Sequence, residues 1–153
     1  MKAWHLRTAD DTAALGASVA GALAGRAGAV IFLEGPLGAG KTTLARGLLR
    51  ALGVTGAIRS PTYTLLEPYE IAGSSLIHLD LYRLAGEREL EPLGLRDHPP
   101  ERCWWLVEWP ERGEGRLPPP DLRIALAHEA AGRSARLSGP AAALVRPPGQ
   151  VVV

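Results

Sequence analysis

A three-layer α/β fold, on a mostly parallel central sheet with antiparallel hairpin additions, is what this sequence of 153 residues predicts. Three observations carry that prediction. Two short runs, Ala29-Val30-Ile31-Phe32-Leu33 and Cys103-Trp104-Trp105-Leu106-Val107, are apolar at every position, as strands buried on both faces must be. The first leads into Gly35-Pro36-Leu37-Gly38-Ala39-Gly40-Lys41-Thr42, which matches G-x-x-x-x-G-K-[ST], and a helical pattern follows from Leu44 to Leu52. Strand, glycine-rich loop and helix in that order make the phosphate-binding unit of P-loop NTPases, so the fold is P-loop NTPase-like. Short segments bounded by turn residues supply the hairpins.

Trp4 to Arg7 alternates weakly and reads as a first strand. Thr8 is an N-cap with Asp11 three residues later, a variant of the capping box. Leu15, Val19 and Leu23 recur at four-residue spacing on one face of the helix that follows, and Gly25 to Gly28 ends it. The buried strand over 29–34 leads through the phosphate loop to a helix from Lys41 to Leu52, with Gly53 as its stop. Ile58 to Pro68 reads as extended around Ser60-Pro61-Thr62-Tyr63-Thr64. Tyr63 to Glu70 and Ser75 to Leu81, parted by Ala72-Gly73-Ser74, read as a hairpin.

Glu87 to Leu93 reads as a short acidic helix closed by Gly94, and Cys103 to Val107 as the second buried strand. Pro118-Pro119-Pro120 is a stiff connector, compatible with neither helix nor central strand. Leu122 to Ala127 and Ser134 to Leu137, joined by residues 128–133, form the last hairpin. One P-loop domain is expected over 1–139, and the Pro- and Ala-rich residues 140–153 are expected to form a flexible C-terminal tail. The closing Val151-Val152-Val153 has no assigned role.

The charge balance narrows the function. Lys and Arg number 17 against 16 Asp and Glu, a net charge of +1, which points to no polybasic surface that grips nucleic acid by itself; contact with RNA would need a partner or a localised patch. Cys103 is the single cysteine, so no internal disulfide forms, and its apolar neighbours mark a buried structural thiol. No apolar stretch approaches about 18 residues and the N-terminus lacks a signal-peptide pattern, so a soluble cytoplasmic protein without a membrane segment is expected. Only Lys2 and Lys41 are lysines. A chain that otherwise uses arginine keeps a compact ammonium where a point charge must fit inside a phosphate loop.

That loop sets the candidate site. Its backbone N–H groups close around a β-phosphate, and the positive end of the following helix points the same way. Lys41 reaches the β- and γ-phosphates, and the Thr42 hydroxyl ligates magnesium. Hydrolysis also needs an acid at a neighbouring strand tip. Asp80 follows Leu76-Ile77-His78-Leu79, and Glu108 follows Trp104-Trp105-Leu106-Val107. The run before Glu108 is uniformly apolar, as in a central strand, whereas His78 interrupts the other, which suits a more peripheral one. Glu108 is therefore assigned to magnesium and Asp80 to positioning or activating water.

Thr62 and Thr64 stand either in a segment that senses the γ-phosphate or in an ordinary turn. His78 reads as a hydrogen-bonded histidine on a half-buried strand. His5, His98 and His128 lack metal-ligand spacing and receive no function. Trp109 either stacks near nucleotide or a partner, or covers the core as a rim residue. The chain has no asparagine, hence no Asn-Lys-x-Asp guanine-reading motif, and no Asp-x-x-Gly switch, so ATP is favoured over GTP.

Four motifs then coincide in order: GPLGAGKTT at 35–43, SPTYTL at 60–65, HLDLYRL at 78–84 and VEWPERG at 107–113. From about Thr8 to about Leu137 the sequence resembles the TsaE (YjeE) family, small bacterial P-loop ATPases needed to make threonylcarbamoyladenosine in tRNA. The resemblance implies an ATPase, weak alone and stimulated in a complex with TsaD and TsaB, with tRNA met indirectly through that complex. It implies that Gly35 and Gly38, Ala39, Gly40, Lys41, Thr42 and Thr43 hold ATP, and that Thr42 and Glu108 hold magnesium. Lys41, Asp80 and Glu108 form the implied catalytic set, Ser60 to Thr64 a switch-like segment with Thr62 near nucleotide, and Arg133 a contact near the base. Tyr82 and Arg83 face a partner or the switch. Pro36 stands where the family usually has aspartate; its missing N–H lies ahead of the main run of phosphate donors. Two other readings stay open: a small-molecule P-loop kinase, and a nucleotide-gated adaptor without turnover.

Overall fold

The two wholly apolar runs form neighbouring strands at the centre of a single sheet. The computed structural model describes residues 2–113 and 115–148. Its strands are β1 (Lys2–Leu6), β2 (Ala29–Glu34), β3 (Leu66–Ile71), β4 (Ser74–Asp80), β5 (Cys103–Glu108), β6 (Leu122–Glu129) and β7 (Gly132–Ser138); its α-helices are α1 (Ala9–Ala22) and α2 (Lys41–Ala51). The sheet runs β1-β7-β6-β2-β5-β4-β3. β2 and β5 pair in parallel, with Ala29 opposite Trp104 and Leu33 opposite Glu108. β6 joins β2, and β4 joins β5, also in parallel. The antiparallel members lie outside, β7 and β1 beyond β6 and β3 beyond β4. The expected parallel centre with hairpin additions is the one observed.

Alternation along the strands divides the core in two. Ile31, Leu33, Trp104 and Leu106 share one cluster with Leu15, Val19 and Leu23 of α1 and Leu44 and Leu48 of α2. Val30, Phe32, Trp105 and Val107 face the opposite side, against Leu81, Leu84 and Leu90. That side is covered by 3₁₀ turns. Glu87–Leu93 is the expected short acidic helix, of 3₁₀ type, and Gly94 (φ 65°) closes it.

Other boundaries differ for local reasons. β1 stops at Leu6 because the Arg7 N–H goes to Asp11 Oδ2 at 3.1 Å, while Thr8 Oγ1 accepts from the Asp11 N–H at 3.1 Å and caps α1. The segment expected to be extended over 58–68 turns at 61–64, where the Leu65 N–H donates to the Pro61 carbonyl at 2.9 Å. Leu65 takes φ 67°, so β3 begins at Leu66 rather than Tyr63. Proline geometry here overrides the strand propensity of Thr62, Tyr63 and Thr64. The expected tail also starts packed: Ala141, Ala142 and Val145 are buried, and the Ala141 N–H donates to the Asp121 carbonyl at 2.9 Å. Residues 149–153, with the closing valines, lie outside the described residues.

α1 and α2 cross where two glycines meet backbone. A Cβ on Gly16 would lie 2.3 Å from the Leu44 carbonyl oxygen, and one on Gly47 would lie 2.2 Å from that of Ala13. This close approach seats both helices on the sheet and fixes the start of α2 at the end of β2. Gly47→Ala should therefore destabilise the fold by about 1–3 kcal/mol, the usual cost of overpacking a tight contact. Urea unfolding measures it, and an unchanged midpoint would mean that the helices separate freely.

Candidate functional site

β2 delivers the chain to the phosphate loop at the C-terminal edge of the parallel strands, and two glycines shape that loop. Gly35 has φ 140° and Gly40 φ 107°, conformations that side-chain-bearing residues rarely adopt. A Cβ on Gly35 would lie 2.4 Å from the Leu126 carbonyl oxygen, and one on Gly40 would lie 2.8 Å from Arg133 Nη1. Gly40 is the N-cap of α2, with no side-chain cap and no acid in the first turn. The first amides of α2 thus have no carboxylate of their own helix to answer them, which favours an external anion.

Lys41 opens α2 and is buried. Its Nζ donates to the carbonyls of Gly35 and of Pro36, the latter at 2.8 Å, and lies 4.3 Å from the centroid of the Trp109 ring. Burial lowers the pKa of this ammonium, while the negative charges of Glu108, Asp80 and Glu111 pull it back up.

The acids come from adjacent strand tips. Asp80 ends β4, Glu108 ends β5, and the two are register partners. They share strand parity with Leu76, Trp104 and Leu106, so they face the side that carries α2. Asp80 Oδ1 accepts from the Tyr82 N–H at 3.0 Å. Burial pushes the Asp80 carboxyl above its ordinary range; the Tyr82 N–H opposes this, Glu108 adds to it, and His78 and Lys41 oppose it. Glu108 Oε2 lies 2.7 Å from His78 Nε2, with both side chains buried.

A cavity of about 560 Å³ brings together Gly38, Gly40, Lys41, Thr42, Thr43, Thr62, Asp80, Glu108 and Arg133 from separate parts of the chain. Leu37, Tyr82, Arg83 and Trp109 complete its wall. Gly35 contributes through its carbonyl, and Ala39 is buried behind the loop. Thr64 is not part of the lining; its hydroxyl donates to Glu67 at 3.1 Å. Thr62 instead shares a hydrogen bond with Ser60, 2.6 Å between hydroxyls.

Two histidines next to the lining residues depart from the sequence expectation. His128, with no motif around it, stands 3.3 Å by Nε2 from the Leu37 carbonyl oxygen. His78 is fully buried rather than half-buried, and the signal was present: a histidine breaking an apolar run two residues ahead of an acid. The aromatic rim is compact, with Tyr82 and Trp109 ring centroids 4.9 Å apart and the Arg112 guanidinium over both.

The donor set suits a magnesium–phosphate pair. Thr42 and Glu108 both line the cavity, and hard oxygen donors of the kind they carry hold magnesium together with phosphate oxygens and water. Among the described residues no group of three or more His, Cys, Asp or Glu is placed to hold a metal ion.

A family model described as Threonylcarbamoyl adenosine biosynthesis protein TsaE matches residues 6–136. The tRNA threonylcarbamoyladenosine biosynthesis protein TsaE of Haemophilus influenzae is 50% identical over 95 residues, 62% of this chain and 60% of its own length. The protein of the same name from Bacillus subtilis is 38% identical over 123 residues, 80% of this chain and 75% of its own length. The crystal structure of YdiB from Bacillus subtilis superposes with a TM-score of 0.71 at 31% identity, covering 88% of this chain and 82% of that one.

The raised Asp80 pKa makes its ionised form a burden on the fold. The native state holds that proton to higher pH than the unfolded chain does, so stability falls as pH rises through this window. Asp80→Asn keeps the acceptor for Tyr82 and removes the charge, so it should raise the unfolding free energy at pH 7. The gain should vanish at about pH 3, where Asp80 is protonated in both states. Unfolding curves at the two pH values measure this, and a loss of stability at pH 7 would contradict it.

Proposed function

The chain belongs to the TsaE family, and from that premise we propose that it binds ATP as a magnesium complex and hydrolyses it in support of TsaD and TsaB. Those proteins make threonylcarbamoyladenosine next to the anticodon of tRNA, which this chain then meets only through the complex. The observation that carries the reading is the convergence of Lys41, Thr42, Asp80 and Glu108 on one cavity at the N-terminus of α2.

In this reading the amides of residues 38–43 and the Lys41 ammonium bind the phosphates. Thr42 and Glu108 would hold the magnesium ion, which supplies positive charge against the phosphate oxygens. Asp80, beside Glu108 and held by the Tyr82 N–H, orients the attacking water and accepts its proton; the carboxylate must be ionised to do so. Thr62 reports the γ-phosphate, Arg133 contacts the nucleotide, and Tyr82 and Arg83 face a partner. A P-loop ATPase domain over 1–139 carries the whole site. A cytoplasmic location goes with this role; no described helix is long and apolar enough to cross a membrane.

The expected outcomes separate binding from turnover. Lys41→Ala should weaken nucleotide binding. Glu108→Ala and Asp80→Ala should each lower phosphate release by about 100-fold or more, with smaller losses in nucleotide affinity. Phosphate release and assembly, measured with and without TsaD and TsaB, check this. ATP that stays intact while the complex forms would leave the adaptor reading, and phosphate transfer to a small acceptor would leave the kinase reading.

A further inference from the structure

His78 sits on β4 two residues before Asp80, opposite Leu106 in the parallel register, which makes Glu108 its diagonal neighbour on the same sheet face. Its Nε2 lies 2.7 Å from Glu108 Oε2. The two side chains are only 2% and 3% exposed, so water does not substitute for the bond. Among the described residues, no other hydrogen-bond donor reaches the Glu108 carboxylate. Glu108 lines the cavity and His78 does not, so the imidazole stands behind the carboxylate.

The other ring nitrogen is equally informative. His78 Nδ1 is buried and has no hydrogen-bond partner. The Glu108 carboxylate can only accept, so the ring nitrogen that faces it, Nε2, is the donor. The ring's polar contact is thus that one bond. A histidine kept for packing would do worse than leucine on this face of β4, because it leaves a buried ring nitrogen unsatisfied.

We propose that His78 is a positioning residue: its Nε2–H holds Glu108 in the orientation in which Oε1 remains available to magnesium beside Thr42. The proposal rests on the magnesium–ATP reading above. It parallels the outer-shell partners that orient the ligands of metal sites.

The test compares His78→Leu, which removes the donor, with His78→Gln, whose amide N–H can replace Nε2–H. ADP affinity is measured by calorimetry with magnesium varied and with magnesium removed by chelator, so the readout does not depend on turnover. His78→Leu should raise the half-saturating magnesium concentration about 10- to 100-fold and leave magnesium-free ADP affinity within about twofold. His78→Gln should restore most of the magnesium response. If His78→Leu does not fold, His78→Asn, with its amide too short to reach Glu108, takes its place and should show the same loss relative to His78→Gln. A magnesium response unchanged by removal of the donor overturns the proposal alone. A wild-type protein whose ADP affinity ignores magnesium overturns the site reading, and this proposal with it.

Discussion

Three charges with little surface open to water share the inner wall of one cavity, and the rest of the site is arranged around keeping them there. Lys41, Asp80 and Glu108 are all buried, and each would cost several kcal/mol if buried alone. Mutual attraction offsets part of that cost and placed hydrogen bonds offset more: Lys41 to two loop carbonyls, Asp80 from Tyr82, Glu108 from His78. The opposed pKa shifts of Lys41 and Asp80 share the same leading cause, desolvation. Among these buried groups one ammonium stands against two carboxylates, while Arg83 and Arg133 add positive charge at the cavity wall. A triphosphate brought beside the two carboxylates is repelled by them unless a divalent cation comes between, which is the physical case for magnesium in the proposed function.

The fold meets this requirement by parity and direction. β2, β4 and β5 run parallel, so their C-terminal ends, and the loop after β2, open on one edge of the sheet. That edge is where ligands of open α/β sheets bind. Strand alternation sends His78, Asp80 and Glu108 to the face that carries α2, while Val30, Phe32, Trp105 and Val107 build the opposite cluster. The glycine contacts between α1 and α2 hold the first turn of α2 against that face. Packing far from the loop therefore determines where Lys41 can reach.

Much of this was legible in the residues. The apolar runs of β2 and β5 fixed the sheet centre, because only a doubly buried strand tolerates so long a run without a polar face. Asp80 and Glu108 were visible because each ends a strand run, wholly apolar before Glu108 and broken by His78 before Asp80. The turn at 61–64 was not legible: Thr62, Tyr63 and Thr64 favour strands by local preference, and the bond from Leu65 to Pro61 prevails. Nor was the packing of Ala141, Ala142 and Val145, since small apolar residues between prolines read alike whether they cover a core or trail from it. The contact between His78 and Glu108 joins residues far apart in sequence, and only the register of β4 against β5 brings it about.

The central claim is that this cavity recognises a phosphate tail together with its cation. The most direct measurement is calorimetric titration of the folded protein with adenosine, ADP and ATP, each with and without magnesium. Affinity should be negligible for adenosine and rise as phosphates are added, with magnesium strengthening the binding of the phosphorylated ligands. Adenosine binding as tightly as ATP, or no heat from any nucleotide, would contradict the account.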